Sequence, residues 1–205
     1  MTLSRATCRG RAGEPTQAYN AAVLKIAFIG THGVGKTTLC YDLAALLKRE
    51  SVQVDIVKEV ARDSPLPINR QTSLEAQLWI LTTQVASEIR CASQNDVVVC
   101  DRSALDNYAY LMFATGRQRG VEQFVDHWLK TYDLLFKVPM AGPASEDGVR
   151  DTDLLFMRSI DALVDELLAR KGVPHEVLPV GRRAEWVSVV RERVLGSPAL
   201  VQRKL

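Results

Sequence analysis

Residues 25–37 read Lys-Ile-Ala-Phe-Ile-Gly-Thr-His-Gly-Val-Gly-Lys-Thr. The opening KIAFI is a short apolar run of the kind buried as a strand in a parallel sheet. Gly30-Thr31-His32-Gly33-Val34-Gly35-Lys36-Thr37 then fits G-x-x-x-x-G-K-[ST]. Leu39, Leu43, Leu46 and Leu47 follow at helical spacing over 36–49. Strand, glycine loop and helix in this order make a phosphate cradle. The glycines let the backbone wrap closely, and the helix N-terminus adds partial positive charge. The expected nucleotide-binding set is therefore Gly30, Thr31, His32, Gly33, Val34, Gly35, Lys36, Thr37 and Thr38. Lys36 carries a point charge to the β- and γ-phosphates, and the Thr37 hydroxyl is a ligand for Mg²⁺. His32 reads as a solvated spacer whose side chain need not face the nucleotide. The implied ligand is ATP with Mg²⁺.

Outward from this loop, short β-rich runs alternate with longer helical ones. Strands are expected at 25–29, 52–57, 96–100, 132–137 and 175–178. Helices are expected at 36–49, 72–91, 105–115, 121–129, 153–170 and 182–195, with Thr72 or Ser73 capping the second. The segment 138–152, with Pro139, Gly142, Pro143 and Gly148, reads as an irregular loop. Alternation of this kind means βαβ crossovers and a parallel sheet with helices on both faces. The expected fold class is a three-layer α/β/α P-loop domain with a five-stranded parallel sheet and a lid.

The bulk numbers agree. The chain has 205 residues, 47% hydrophobic and 24% charged, enough for one α/β core over 24–205. Residues 1–23 carry Arg5, Arg9 and Arg11 against Glu14, lack a hydrophobic period, and read as a disordered basic tail or an over-extended start. They lack the apolar core of a secretory signal. That tail accounts for the net charge of +2, so the body is near neutral. A neutral body offers no basic face for polymeric nucleic acid. No apolar run reaches the roughly 18–20 residues of a membrane span. The four cysteines show no zinc spacing, and Cys40 and Cys100 read as small core residues. The expected location is cytoplasmic, and the expected state a monomer or homodimer.

Two classes of phosphate-loop protein are excluded by missing motifs. No N/T-K-x-D or D-x-x-G occurs, so a GTPase switch is not indicated. A mechanical ATPase needs a Glu after the metal-side Asp of the third strand to activate water. Here the strand ends Cys100-Asp101-Arg102-Ser103, with Arg102 in that place. Phosphoryl transfer to a bound acceptor needs charge neutralisation more than water activation. Asp101 is expected to join Thr37 at the metal, and Arg102 to serve the transferring group or the acceptor. Glu59 follows the second strand at the same sheet edge, with Arg62 one turn on to hold an acceptor oxygen or steady Glu59. The loop Asp147-Gly148-Val149-Arg150 would be a lid whose Arg150 closes over the transferring phosphate.

On these residues the chain resembles the small P-loop kinases of nucleosides and nucleotides. More narrowly it resembles the AAA-domain ATPases grouped with bacterial nicotinamide riboside kinase. The resemblance rests on the P-loop, on Lys58-Glu59-Val60-Ala61-Arg62, on Asp101-Arg102-Ser103 with Leu105-Asp106-Asn107-Tyr108-Ala109-Tyr110, and on Asp147–Arg150; only the P-loop is highly specific. It implies that Glu59 accepts the proton of an attacking hydroxyl. It also implies that Trp79 and Gln84 line a base pocket, with Gln77 as the rival reader, and that Arg182 and Arg183 flank adenine. The chain lacks the acceptor fingerprint of a named deoxynucleoside or thymidylate kinase, which leaves the acceptor open. The reading is an ATP–Mg²⁺-dependent phosphotransferase acting on a small nucleoside- or nucleotide-like acceptor. The alternative is a regulatory ATP-binding module that senses a ligand with little turnover.

Overall fold

The computed structural model describes residues 23–68, 71–140 and 154–201. The expected tail, and most of the expected lid with Arg150, lie outside these residues. β1 (Leu24–Ile29) and β3 (Val97–Asp101) are buried along their whole length, because both lie inside the sheet. β2 (Val54–Val57) is buried only at its ends, as befits an edge strand. β4 (Leu134–Lys137) and the two-residue β5 (Glu176–Val177) complete a five-stranded sheet in the order β2-β3-β1-β4-β5. All four pairings are parallel.

Successive β1 residues point to opposite faces, and this sorts the core into two layers. Leu24, Ile26 and Phe28 pack with Leu39, Leu43, Leu47, Trp186 and Val190 of α1 (Lys36–Arg49) and α6 (Trp186–Leu195). Ala27 and Ile29 pack on the other face with residues from four helices. These are α2 (Leu74–Ala92), α3 (Ala104–Thr115), α4 (Arg119–Leu129) and α5 (Leu154–Lys171). Helices on both faces of a parallel five-stranded sheet make this a three-layer α/β/α fold.

Differences from the sequence reading sit at element ends. A 3₁₀ turn at Val60–Asp63 follows Glu59, and another at Arg183–Glu185 delays the last long helix to Trp186. The Trp186 indole donates to the Pro179 carbonyl at 2.8 Å, which fixes where that helix starts. The short α7 (Pro198–Val201) was not expected, because four residues carry no readable period. Ser73 does cap α2, its side chain accepting from the Ala76 N–H at 3.3 Å.

The topology places the chemistry. The chain leaves β1 for β2, passing over the place that β3 fills, so the order reverses between β1 and β3. Ligands of open α/β sheets bind beyond the C-terminal ends of strands at such a point. Phe28 pairs with Asp101 in register, so the P-loop and the Asp101–Arg102 corner emerge side by side.

Candidate functional site

Gly30 and Gly35 hold the loop where side chains could not. A Cβ on Gly30 (φ 136°) would lie 2.8 Å from the Val138 carbonyl oxygen. A Cβ on Gly35 (φ 100°) would overlap the Arg183 guanidinium. Gly30 is required by the close backbone approach and its positive φ, and Gly35 by its positive φ, since the Arg183 end is free to shift. Lys36 opens α1 and turns back into the loop, donating to the carbonyls of Gly30 at 2.9 Å and Thr31 at 2.5 Å. Burial, with help from the Arg102 charge, lowers its pKa to about 8. The Thr37 hydroxyl donates to Asp101 at 2.5 Å. Burial raises the Asp101 pKa, against the pull of Lys36 and the Thr37 bond.

These residues fit ATP with Mg²⁺. A buried lysine in a glycine cradle suits polyphosphate, and a hydroxyl touching a carboxylate supplies two hard oxygen ligands. Among the described residues no group of three or more His, Cys, Asp or Glu could hold a metal.

The corner after β3 is the second half of the site. Arg102 has φ 99°, a conformation that a bulky non-glycine residue adopts only under strain. Its guanidinium is buried and pairs with Glu59 Oε1 through Nε at 2.9 Å and Nη2 at 2.6 Å. Arg62 donates to Glu59 Oε2 at 3.1 Å. The Arg102 guanidinium lies 4.8 Å from the Tyr110 ring centre, and its Nη1 has no hydrogen-bond partner. Asn107 Nδ2 is likewise buried without a partner. Glu59, Arg62, Gln77, Arg102, Asn107 and Tyr110 line a small, open-mouthed cleft.

Asp106 joins the two halves, a role sequence reading missed. One oxygen accepts from the Gly30 N–H at 2.8 Å. The other accepts from the Ser103 N–H and hydroxyl, both at 2.8 Å, completing a capping box at the start of α3. The signal was present as Ser103-x-x-Asp106, but a capping box does not announce a second partner. Lys137 was also missed. It is buried at the end of β4 and pairs with Asp161 at 3.0 Å and Asp165 at 2.5 Å on α5.

The structure brings some expected residues together and separates others. Lys36, Thr37, Asp101, Arg102, Glu59 and Arg62 converge on one sheet edge. Gln84 does not reach the cleft. It is buried behind Arg102, donating to the Arg102 carbonyl at 3.3 Å and to Glu88 at 3.0 Å. Trp79 is half-buried and does not line the cleft, whereas Gln77 does. Arg183 lies against Gly35, but Arg182 turns away to an exposed pair with Glu185. His32 is not a solvated spacer. It is 3% exposed, 2.9 Å from the Tyr110 hydroxyl, with its ring centre 5.6 Å from that of Phe156. The loop side chain is apolar-packed because α3 and α5 both close over it.

Residues 25–185 match the model of a family described as an AAA domain. The chain belongs to this AAA-domain family. A probable thymidylate kinase of Thermoplasma volcanium is 31% identical over 109 residues, covering 51% of this chain and 55% of the relative. The chain thus matches about half the length of that curated relative. Two solved structures share the fold. Deoxyadenosine kinase from M. mycoides, with dCMP and dCDP, has a TM-score of 0.58 and 16% identity over 85% of this chain and 100% of its own. NadR protein in complex with NR has a TM-score of 0.67 and 18% identity over 83% of this chain and 51% of its own. The AAA-domain chain thus has the fold of P-loop nucleoside and nucleotide kinases. No helix among its described residues is long and apolar enough to cross a membrane.

Proposed function

We propose that this protein moves the γ-phosphate of ATP to a hydroxyl or phosphate of a small nucleoside- or nucleotide-like acceptor. One observation carries the reading: a separate cleft, built on Glu59 and Arg102 and holding unpartnered buried donors, adjoins the P-loop. A module that senses a ligand would also use such a cleft, and what favours transfer is the carboxylate of Glu59 in it, a base that sensing alone does not need. Mg²⁺ held by Thr37 and Asp101 would draw charge from the phosphate oxygens. Lys36, Arg102 and the lid's Arg150 would neutralise the transferring group. Glu59 would take the proton of the attacking hydroxyl, held in place by Arg102 and Arg62. Gln77, with its side chain in the cleft wall, takes the base-reading role first expected of Gln84, and Arg183 flanks the nucleotide at Gly35.

The kinases of nucleosides and nucleotides that share this fold or sequence support the reading. The test is single-turnover transfer at saturating ATP–Mg²⁺ to deoxyadenosine, thymidine 5′-monophosphate and nicotinamide riboside. With any acceptor so found, Glu59→Gln should lower transfer by about 10²–10⁴-fold and leave nucleotide binding in place. Near-wild-type transfer by the Gln variant would pass the base role to Asp101. Transfer to none of the three by the wild type would favour a regulatory ATP-binding module.

A further inference from the structure

The corner from Asp101 to Ala104 leaves two backbone groups that neither sheet nor helix satisfies. The β1–β3 register ends at Asp101, so the Arg102 carbonyl lies beyond the ladder. The first N–H groups of a helix have no intrahelical acceptor. Ser103 Oγ accepts from the N–H of Leu105 at 3.1 Å and of Asp106 at 3.4 Å, but not from Ala104. Each orphan is met by a side chain from elsewhere. Gln84 of α2 donates to the Arg102 carbonyl at 3.3 Å, and the Tyr132 hydroxyl accepts from the Ala104 N–H at 3.0 Å.

Both arms end on the same atom. Glu88 Oε1 accepts from Gln84 at 3.0 Å and from the Tyr132 hydroxyl at 2.7 Å. Glu88 Oε2 accepts from Lys25 at 3.0 Å and the Trp128 indole at 2.7 Å. Glu88 is fully buried, and its carboxyl oxygens meet four donors, one of them the Lys25 ammonium. Burial, and then the Glu88 charge, push the Tyr132 phenol well above its ordinary pKa, which keeps its O–H available to donate. Three donors from Lys25, Trp128 and Tyr132 already serve the carboxylate. Gln84 adds a link from that carboxylate to the carbonyl of the one strained residue on which the acceptor cleft depends.

We propose that Glu88, acting through Gln84 and Tyr132, is a positioning residue that holds Arg102 in its left-handed conformation and so aims its guanidinium at Glu59 and the cleft. The catalytic part of the inference rests on the phosphotransferase reading; the structural part does not.

Two variants remove the arms singly and leave Glu88 paired with Lys25: Gln84→Met, close in shape, and Tyr132→Phe. The first readout needs no acceptor. In ¹⁵N-arginine-labelled protein, the Arg102 Nε–H resonance, assigned by its loss in Arg102→Lys, reports the Glu59 pair. Its solvent exchange should quicken about fivefold in each variant, the factor of one net hydrogen bond. The second readout is transfer to whichever of the three probes the wild type phosphorylates. The catalytic rate should fall by about tenfold or more at unchanged ATP affinity, since small misplacements near the reacting centre are costly.

Unchanged exchange in both variants would overturn the inference and leave Glu88 a device of the core alone. So would an equal loss of ATP affinity and transfer rate. If Gln84→Met fails to fold, Tyr132→Phe decides. If the wild type phosphorylates none of the probes, the kinase reading falls, while the exchange measurement still decides whether Glu88 holds Arg102.

Discussion

The two ends of the sheet treat their buried polar groups in opposite ways. At the N-terminal end, Lys25 meets Glu88 at 3.0 Å and Thr131 at 2.8 Å, and lies 4.5 Å from the Trp128 ring centre. The Lys25 backbone N–H is taken by Asp133 at 2.7 Å. At the C-terminal end, Arg102 is strained, and Arg102 Nη1, Asn107 Nδ2 and Thr31 Oγ1 are buried without partners. An unpaired buried donor costs about 1–3 kcal/mol. The N-terminal end is therefore satisfied by its own side chains, whereas the C-terminal end leaves buried polar atoms unpaired. Ser51 before β2 and the buried Tyr108 hydroxyl break local rules elsewhere, so it is the clustering of such groups beside the phosphate loop that points to this end as the working one.

The largest effect should come from breaking the satisfied end. Lys25→Met leaves Glu88 buried without its cation. Removing one member of such a pair costs about 3–5 kcal/mol. For a domain of this size that lowers the melting temperature by about 6–20 °C. Thermal melts check it, and ATP affinity of the folded protein should stay near wild type. A loss of ATP binding equal to the loss of stability would erase the division between the two ends.

A smaller free-energy change, of opposite kind, should follow Lys36→Ala at the working end. Lys36 is buried and its charge is penalised there, so the melting temperature should hold or rise. ATP affinity measured calorimetrically should drop by about 10²-fold, the order found for losing one charge-stabilising donor. Unchanged ATP affinity in the folded variant would count decisively against the P-loop assignment.

The smallest effect concerns a fraction of a proton. The Lys36 pKa of about 8 lies below its ordinary 10.5, so the unfolded chain binds more protons between those values. The free protein should therefore gain stability as pH rises from about 8 to 10.5. A bound triphosphate restores the charged form. ATP binding near pH 8 should then take up about half a proton, and affinity should fall as pH rises further. Calorimetry in buffers of different ionisation enthalpy measures the uptake. No uptake at pH 8–9 would show that Lys36 is fully charged without ligand.

The sequence by itself determined the loop, the parallel α/β class and the pairing of Thr37 with Asp101. Gly30–Thr37 is a local motif, and KIAFI and DVVVC are local patterns whose meaning does not wait on distant partners. Thr37 and Asp101 could be paired on paper because the motif fixes one and the end of a buried strand fixes the other. Most of the second half of the site was not legible. Glu59 and Arg102 are 43 residues apart and meet, two guanidinium donors on one carboxylate oxygen, only because β3 inserts beside both β1 and β2. Arg182 and Arg183 are neighbours in sequence, and a single 3₁₀ turn sends one to the P-loop and the other to Glu185. Gln77 and Gln84 are seven residues apart on one side of α2, both buried. Helical periodicity gives them the same face, and along the axis they differ by about 10 Å. Which of them reaches the acceptor cleft, and which braces Arg102 from behind, is decided by how far α2 slides along β3 before its apolar face finds its fit. That distance is a property of the packed core, which no local pattern in the chain encodes.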